Sequence, residues 1–409
     1  MTKRDRGRQR PRAALLAALG LAALAVVAPA GAQESREAAI AREQAQKASA
    51  LTPPQPGRIE RFLNDFEEAY VLGKVSWHPW FESAYAGGGF VLGAGWGRHV
   101  SPYNMIDLRG SYTIHGYKRL EAEFLAPRLL DDRAQFSLIG GWREATQVGF
   151  YGFGTANTSA DDRVNYSFSQ PYGQATLTVR PARRYLVLAA GLEFTKWDQG
   201  SGGGSFPSVE EVYTPGSLPG LGASPTYLHA QGTAAIDWRP AADYARRGGY
   251  YGVRFHDFAD QDDAWGFQQV DYEAIQHIPV LRDAWVLSLR GRVQTTFTKN
   301  DQVIPFFMLP ALGGGSSLRG FSSWRFRDRH SLLLSAEWRV LANRYLDMAV
   351  FCDAGKVAAR RSDLDLEGLK TDYGLGFRFH GPATTPLRIE LATSNERDLK
   401  LVFSAKAAF

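Results

Sequence analysis

From about residue 74 to the C-terminus, apolar and polar residues alternate with a period of two. The clearest run covers residues 228–238, in which every second position is apolar or small and the positions between them include His229 and Asp237. Alternation of this kind is the pattern of a β-strand that has one apolar face and one polar face. The same pattern recurs in residues 285–297, 331–340 and 399–409. The pattern therefore predicts a chain built mainly from β-strands.

The predicted strands are about ten residues long, which is the length that a tilted strand needs to cross a membrane. We predict about 16 strands, beginning near residues 75, 88, 104, 117, 135, 164, 184, 226, 249, 265, 284, 328, 345, 371, 386 and 397. Aromatic residues lie at many strand ends, as the interfacial girdles of a membrane barrel require. A soluble β-sandwich also alternates and is the alternative. The predicted fold class is all-β, a 16-stranded antiparallel transmembrane β-barrel with a short N-terminal helical segment.

The connections between the predicted strands alternate in length. The short ones are Ser101–Asn104, Arg180–Arg183, Pro279–Asp283 and Asn343–Arg344. The long ones are Gly152–Asp162, Gln199–Ser224, Lys299–Arg327 and Ala358–Lys370. Residues 199–224 are rich in glycine and proline, and we expect a low-complexity loop there. Short periplasmic turns and long outer loops are typical of outer-membrane barrels.

Residues 1–32 have the organisation of a secretory signal peptide. The basic stretch Met1–Arg12 precedes the apolar stretch Ala13–Ala30, and Ala30-Gly-Ala32 fits a cleavage site. An uncleaved membrane anchor is the alternative. The pattern predicts export and a mature chain that begins at Gln33.

Residues 33–73 are predicted to form a periplasmic helical lead segment, and residues 74–409 the barrel. A helix is expected over Gln33–Leu51, before the prolines of 53–56, and a second, amphipathic helix over Arg58–Tyr70. Four roles stay open for the lead segment: a plug of the lumen, a membrane-surface element, a recruiter of a partner, or a simple tether.

Charge, cysteine content and hydropathy further limit the class of protein to which the chain can belong. The formal net charge is +5, and six basic residues against one acid in residues 1–32 account for all of it. The pI of about 9.2 therefore gives no indication of nucleic-acid binding. The single cysteine, Cys352, cannot form an internal disulfide. Beyond the signal no apolar run reaches the roughly 18 residues of a membrane helix. An exported, strand-rich chain of this kind is predicted to lie among the lipids of a Gram-negative outer membrane.

A glycine-rich stretch, Leu312–Phe321, precedes two strands that carry acids at defined positions. Glu337 lies opposite the apolar face of its strand, and Asp353 takes the opposite face from Cys352. Parity therefore predicts that both acids point into the lumen and that Cys352 faces lipid. The guanidinium of Arg319 is a fixed fork of donors suited to such carboxylates.

These residues resemble the signature of the outer-membrane β-barrel superfamily that contains the BamA and TamA insertases, also called the bacterial surface antigen family. The resemblance covers about residues 75–409 and implies that the sixth outer loop folds into the lumen, where its tip contacts Glu337 and Asp353. The implied tip consists of Leu318, Arg319, Gly320 and Phe321. The strand motif is marked by Phe351 and Gly355. We expect Gly320 to allow a tight turn and residues 313–315 to supply flexibility.

Insertases of this family carry periplasmic POTRA domains before the barrel, and residues 33–73 are too short for one. The resemblance implies assembly or translocation of outer-membrane proteins through a gated lumen and a lateral seam, with a protein client or a POTRA-bearing partner. The alternative is a passive channel or a structural barrel without insertase activity.

The two ends of the barrel segment carry further predictions. The first strand, Val75–Glu82, is short and contains Pro79, which removes a ladder donor and weakens closure against the last strand. The alternation of the last strand continues to Phe409, and a terminal aromatic residue resembles the signal that the outer-membrane assembly machinery reads during biogenesis.

Enzyme motifs are absent from the sequence, which has no G-x-S-x-G elbow, no H-E-x-x-H and no metal-spaced Cys/His set. The Gly93–Gly97 stretch lacks the final glycine of a dinucleotide fingerprint. One alternative stays open, namely that a serine and a histidine on adjacent strands form a pair by chance, as an outer-membrane phospholipase would need. We predict a protein that is not an enzyme and has no cofactor and no metal site.

Overall fold

The computed structural model describes residues 42–44, 46 and 76–409, except 157, 182–184, 282, 300–301 and 397–398. Residues 42–44 and 46 are helical and fall within the first predicted helix. The predicted signal peptide, the second predicted helix and the cleavage site lie outside the described residues. In the part of the chain that is described, no helix is long and apolar enough to cross a membrane.

Nearly all regular structure in residues 76–409 is β-strand. The strands are β1 (Trp77–Pro79), β2 (Val91–His99), β3 (Met105–Thr113), β4 (Lys118–Leu129), β5 (Ala134–Phe150), β6 (Val164–Val179), β7 (Leu186–Lys196), β8 (Asp198–Ser201), β9 (Thr226–Asp237), β10 (Gly248–Asp260), β11 (Phe267–Leu281), β12 (Trp285–Thr298), β13 (Ala311–Leu312), β14 (Phe326–Arg327), β15 (His330–Asn343), β16 (Leu346–Ala358), β17 (Lys370–Phe379), β18 (Leu387–Ser394) and β19 (Leu399–Ser404). A four-residue helix, α1 (Val209–Val212), and the 3₁₀ turns Ala160–Asp162, Phe306–Met308 and Arg361–Asp363 lie between them.

Seventeen strands form one antiparallel meander, and β13 pairs with β14 in a separate hairpin. Strands β7 and β8 both lie along β6, on either side of Trp197. Each predicted strand start lies within three residues of an observed one. The sheet is not closed, because no register joins β1 to β19 among the described residues. The all-β antiparallel fold is confirmed, whereas the closed barrel of 16 strands stays a prediction.

The two faces of the sheet differ in chemistry, as β16 illustrates. Its residues alternate in burial from Leu346 to Val357, so that Val350 is 57% exposed and Asp353 is 1% exposed. Cys352 is free and lies on the exposed face, as parity predicts. Leucine, valine and aromatic side chains on this outer face are exposed, which is the expected surface of a barrel wall in lipid. The inner face carries the charged residues.

The connections also separate by length, and we call the two ends of the sheet the short-turn end and the long-loop end. The connection between β7 and β9 at the long-loop end was wrongly predicted to be low-complexity loop. It contains β8 and α1, and Val209 and Leu218 are fully buried in an aromatic core with Phe150 and Phe306. Apolar side chains spaced among the glycines and prolines provide the burial that orders this loop.

The first strand is shorter than predicted, since β1 ends at Pro79 and does not reach Glu82. Residues 80–90, here called the inward segment, turn into the interior of the sheet. Trp80 is 9% exposed, and its ring lies 5.3 Å from the Arg109 guanidinium and 4.9 Å from that of Arg119. Burial of an aromatic ring against two cations explains why the chain leaves the ladder here.

The last strand is also shorter than predicted. The strand β19 ends at Ser404, so Phe409 does not continue its outer face. The Phe409 ring lies 6.5 Å from the ring of His277 and 6.0 Å from the guanidinium of Arg290, which are residues of the inner face. The final residues therefore turn inward at the short-turn end.

Candidate functional site

The connection between β12 and β15 folds back onto the inner face of the sheet. Strands β13 and β14 pair through Ala311 with Arg327 and Leu312 with Phe326, which makes residues 311–327 a hairpin that we call the inward hairpin. The hairpin packs on β15 and β16 through a buried apolar cluster. This cluster consists of Leu312, Leu318, Phe321, Phe326, Leu333 and Val357. Burial of these side chains fixes the hairpin on the wall of the sheet.

Two glycines shape the start of the hairpin tip. Gly313 has φ +117° and Gly314 has φ +90°, a backbone conformation that other residues rarely adopt. A Cβ atom on Gly313 would also lie 2.2 Å from the carbonyl oxygen of Ser322. These glycines therefore hold a defined turn and do not act as the flexible joint expected from the sequence.

Gly320 has a different role from the one predicted. Its φ is not positive, so it is not required for a tight turn. A Cβ atom on Gly320 would lie 2.6 Å from the Cβ of Asp372 and 2.8 Å from the carbonyl oxygen of Thr393. The absent side chain lets the tip approach the backbones of β17 and β18.

Replacement of Gly320 by alanine should therefore push the tip away from β17 and β18. We expect a loss of about 1–3 kcal/mol in the free energy of unfolding in urea, as for other overpacked sites, together with faster proteolysis of the hairpin. Gly216→Ala is the matched control, because a Cβ atom there would meet nothing within 4 Å. Equal behaviour of the two variants would contradict the close-approach role.

The structure brings Arg319, Glu337 and Asp353 together at the tip. Arg319 donates from Nε to Asp353 Oδ2 at 2.7 Å and from Nη2 to Asp353 Oδ1 at 3.0 Å, a bidentate pair. Its Nη1 donates to Glu337 Oε2 at 3.1 Å. The guanidinium carbon also lies 3.4 Å from the ring centroid of Phe351. The fork geometry and the aromatic floor are what distinguish arginine from lysine at such a site.

A third acid, Glu390 on β18, completes the set and was not predicted as a partner. Arg319 Nη1 donates to Glu390 Oε1 at 2.8 Å. Arg378 donates from Nη2 to Glu390 Oε1 at 2.6 Å and also to Glu337 Oε2. Arg388 Nη1 lies 3.1 Å from Glu390 Oε2. We call Arg319, Arg378, Arg388, Glu337, Asp353 and Glu390 the arginine cluster.

The arginine cluster is buried, and its six residues comprise three guanidinium groups and three carboxylates, while Arg339 Nε also lies 3.8 Å from Glu337 Oε1. The side chains of Arg319, Asp353 and Glu390 are 2%, 1% and 0% exposed. Charges removed from water to this extent are tolerated only when each is paired and hydrogen-bonded. The cluster therefore ties the hairpin tip to β15, β16, β17 and β18 at once.

The remaining residues of the predicted motif surround the cluster. Leu318 and Phe321 flank Arg319 and are buried in the apolar cluster beneath the hairpin. Gly355 leaves space for the hairpin, because a Cβ atom there would lie 2.9 Å from Leu312 Cδ1. Phe409 lies apart from the cluster, and its role as an assembly signal stays a prediction.

Two further contacts anchor the hairpin away from its tip. Arg325 donates from Nη2 to Glu396 Oε1 at 2.7 Å and to the carbonyl oxygen of Thr158 at 2.9 Å. Trp324, whose φ is +64°, donates from Nε1 to the carbonyl oxygen of Ala86 at 2.9 Å. The hairpin therefore touches both an outer loop and the inward segment that follows β1.

An antiparallel sheet with an apolar outer face and a charged inner face is the arrangement found in the walls of outer-membrane β-barrel proteins. Residues 104–405 match the family model described as the Omp85 superfamily domain, and the chain belongs to this superfamily. No curated protein sequence matches the chain.

Solved structures of similar fold have low sequence identity to the chain. BamA from Haemophilus ducreyi lacking POTRA domains 1–3 aligns with a TM-score of 0.58 and 15% identity, over 80% of this chain and 68% of that one. CdiB from Escherichia coli aligns with a TM-score of 0.51 and 11% identity, over 79% of this chain and 60% of that one. At this level of identity the likeness concerns the fold alone.

Proposed function

We propose that this chain assembles or translocates outer-membrane proteins through a gated lumen and a lateral seam between β1 and β19. In this proposal the meander forms a 16-stranded barrel in the membrane, and residues 33–73 form a periplasmic lead segment. The observation that carries the proposal is the short strand that borders each side of the seam. Among the described residues, β1 pairs with β2 over three positions, and β19 pairs with β18 over six.

The short strands that border the seam give it its proposed activity. An edge strand presents a row of free N–H and C=O groups that can pair with another extended chain. β1 contributes three residues and β19 contributes six, so little hydrogen bonding has to be broken for the seam to open. An incoming strand would pair with these edges and then move sideways into lipid.

The arginine cluster supports the seam indirectly. It holds the inward hairpin against β15–β18, and the hairpin contacts the inward segment through Trp324 and Ala86. The inward segment follows directly on β1. We propose that Arg319, Glu337 and Asp353 keep the hairpin seated, so that the chain after β1 stays inside the barrel and β1 stays short.

A structural barrel without insertase activity is the second candidate. It is favoured by the filled interior at the long-loop end, where Phe150, Phe168, Phe306 and Phe307 form a packed aromatic core. Recordings in planar bilayers combined with cross-linking of an unfolded barrel protein separate the candidates. The absence of both a steady conductance and a cross-linked client would favour the structural barrel, whereas a steady open conductance without a cross-linked client would favour a passive channel.

Locking the seam tests the proposed function directly. The side chain of Lys406 contacts that of Glu82, so this ion pair connects the residues that follow β19 to those that follow β1. The test uses the double variant Glu82→Cys/Lys406→Cys in a Cys352→Ser background, with the two new cysteines joined by a short bis-maleimide. We expect that the cross-linked protein will no longer assemble an unfolded eight-stranded barrel protein into liposomes.

The matched control is Lys118→Cys/Glu144→Cys, joined in the same way. These residues form a Lys–Glu pair at 2.7 Å and face each other in the register between β4 and β5. The control should keep its assembly activity, which is measured as the amount of client protein that becomes resistant to protease and shows heat-modifiable mobility. Unchanged activity of the locked seam would refute lateral opening.

A further inference from the structure

The connection between β9 and β10, residues 238–247, enters the interior of the sheet at the short-turn end. Its residues Tyr244 and Ala245 are 7% and 3% exposed, although they belong to a turn. Turns normally run over the surface, because buried backbone needs partners for its polar groups. The side chains and backbone of this turn find those partners on strands far along the sheet.

One set of contacts crosses to β16 and β17. Arg246 donates from Nη1 to both carboxylate oxygens of Asp347, at 2.9 and 3.0 Å. The hydroxyl of Tyr244 donates to Asp347 Oδ2 at 3.1 Å and lies 3.0 Å from Nε2 of His380, whose ring stacks on that of Tyr244. Burial and the carboxylate of Asp347 raise the pKa of Tyr244 to about 12, so its hydroxyl keeps the proton that it donates.

A second set of contacts reaches the chain on both sides of the last hairpin. Asp243 accepts from the backbone N–H of Thr385 at 2.8 Å and, with its other oxygen, from the backbone N–H of Ala407 at 3.0 Å. The Thr385 hydroxyl donates to the carbonyl oxygen of Asp243 at 3.0 Å. Thr385 precedes β18, and Ala407 lies three residues beyond the end of β19. One turn residue thus binds the tail of the strand that borders the seam.

Beneath the turn lies a buried polar layer of the inner face. Arg339 donates from Nη2 to the carbonyl oxygen of Ala245 and to the hydroxyl of Ser288, the latter at 3.1 Å. Ser288 is 1% exposed, and its hydroxyl lies 2.8 Å from Nδ1 of His277. The turn therefore borders this layer at the short-turn end of the sheet, together with Phe409, whose ring faces that of His277.

We propose that residues 238–247 are a movable plug of the short-turn end, and that Asp243 couples the plug to the tail behind β19. In its closed position the plug covers the polar layer around Ser288. Displacement of the plug opens the lumen at this end and at the same time frees the tail next to the seam.

The chemistry of the contacts favours a movable element over a fixed part of the core. The partners of the plug are mainly carboxylates, guanidinium groups and backbone amides. Once the turn leaves, water can reach and solvate these groups, whereas an apolar plug would expose hydrophobic area to water. Ion pairs and hydrogen bonds contribute little net free energy when water replaces the partner, so opening costs less than unfolding.

Cysteine labelling at Ser288 measures the position of the plug without any client protein. In a Ser288→Cys/Cys352→Ser background, a membrane-impermeant maleimide should react slowly with the closed protein. Tyr244→Ala/Arg246→Ala should raise the labelling rate by about tenfold or more, because local opening then needs less free energy. The control is Asp131→Ala in the turn between β4 and β5, where the residue is exposed, and its rate should not change.

A lock tests the same proposal without removing side-chain contacts to β16. The substitutions Asp243→Cys and Thr385→Cys are added to this background, and oxidation joins the two new cysteines in a disulfide. The thiol introduced at position 288 is then the one left to react. Its labelling should be about tenfold slower than without the lock. Equal rates in the locked, unlocked and weakened proteins, each still heat-modifiable, would overturn the plug. This result would leave the seam experiment unaffected, because labelling requires no assembly activity.

The coupling to the tail has its own readout. In Tyr244→Ala/Arg246→Ala, carboxypeptidase should remove Phe409 faster than in the parent, as followed by intact mass. Faster labelling at residue 288 with unchanged trimming would overturn the coupling through Asp243.

Discussion

Replacement of Arg319 by alanine should release the inward hairpin from the wall of the sheet. The carboxylates of Glu337, Asp353 and Glu390 would lose the guanidinium that lies between them. Breaking a buried pair by removing one partner costs about 3–5 kcal/mol, because the remaining charges stay buried. We therefore expect a loss of that size in the free energy of unfolding in urea, and rapid cleavage of residues 311–327 by proteinase K.

Arg319→Lys separates charge from geometry in this experiment. Lysine keeps the positive charge but cannot form the bidentate pair with Asp353 or lie flat over Phe351. Its stability and protease resistance should fall between those of the parent and those of Arg319→Ala. Full resistance of the hairpin in Arg319→Ala would contradict the anchoring role.

Strand positions were predictable because the membrane imposes the same rule on each strand. A wall between lipid and a polar interior needs one apolar and one polar face, so period-two alternation marks the strand and its inward residues. Asp353 and Cys352 show how much the alternation predicts, since parity alone placed them on opposite faces of β16. The same reasoning placed Glu337 on the inner face of the sheet.

The full membership of the arginine cluster was harder to predict. Arg388 and Glu390 share the inward parity of β18, so the sequence contained the signal that they face the lumen. Parity does not say how far along the barrel axis a side chain lies. The contact of Glu390 with Arg319 depends on the register of β17 with β18 and on the path of the hairpin, which no local pattern encodes.

Both ends of the barrel segment depart from the alternating pattern for tertiary reasons. The alternation of Ala405, Ala407 and Phe409 continues that of β19, yet Ala407 donates its N–H to Asp243 on a distant turn. Likewise, the chain leaves the ladder after Trp80, whose ring packs on two arginines of β3 and β4. An edge strand has one ladder at most, so long-range side-chain contacts can outweigh it.

These departures connect the cluster to the proposed seam. The hairpin that Arg319 anchors is hydrogen-bonded to the inward segment after β1, and the plug is hydrogen-bonded to the tail after β19. Each border of the proposed seam is thus attached to an element that packs on the inner face of the sheet. Movement of material through the lumen would require both elements to move, which would act on the seam from both sides.

Neutralising Glu390 should destabilise the fold nearly as much as removing Arg319. Its carboxylate accepts from Arg319 and Arg378 and forms an ion pair with Arg388, and its side chain is fully buried. Glu390→Gln keeps the shape of the side chain but leaves three guanidinium groups with two carboxylates. We expect a loss of about 3–5 kcal/mol in the free energy of unfolding, together with loosening of the hairpin.

Glu396→Gln is the matched control for Glu390→Gln. Glu396 also pairs with a hairpin arginine, Arg325, but its side chain is 22% exposed, so water can replace part of the lost interaction. Its substitution should cost about 1 kcal/mol or less. Urea unfolding and heat-modifiable mobility of both variants check the comparison. If Glu390→Gln were as stable as Glu396→Gln, the hairpin would have to be held by the apolar contacts of Leu318 and Phe321, and the ion pairs would not be needed for its position.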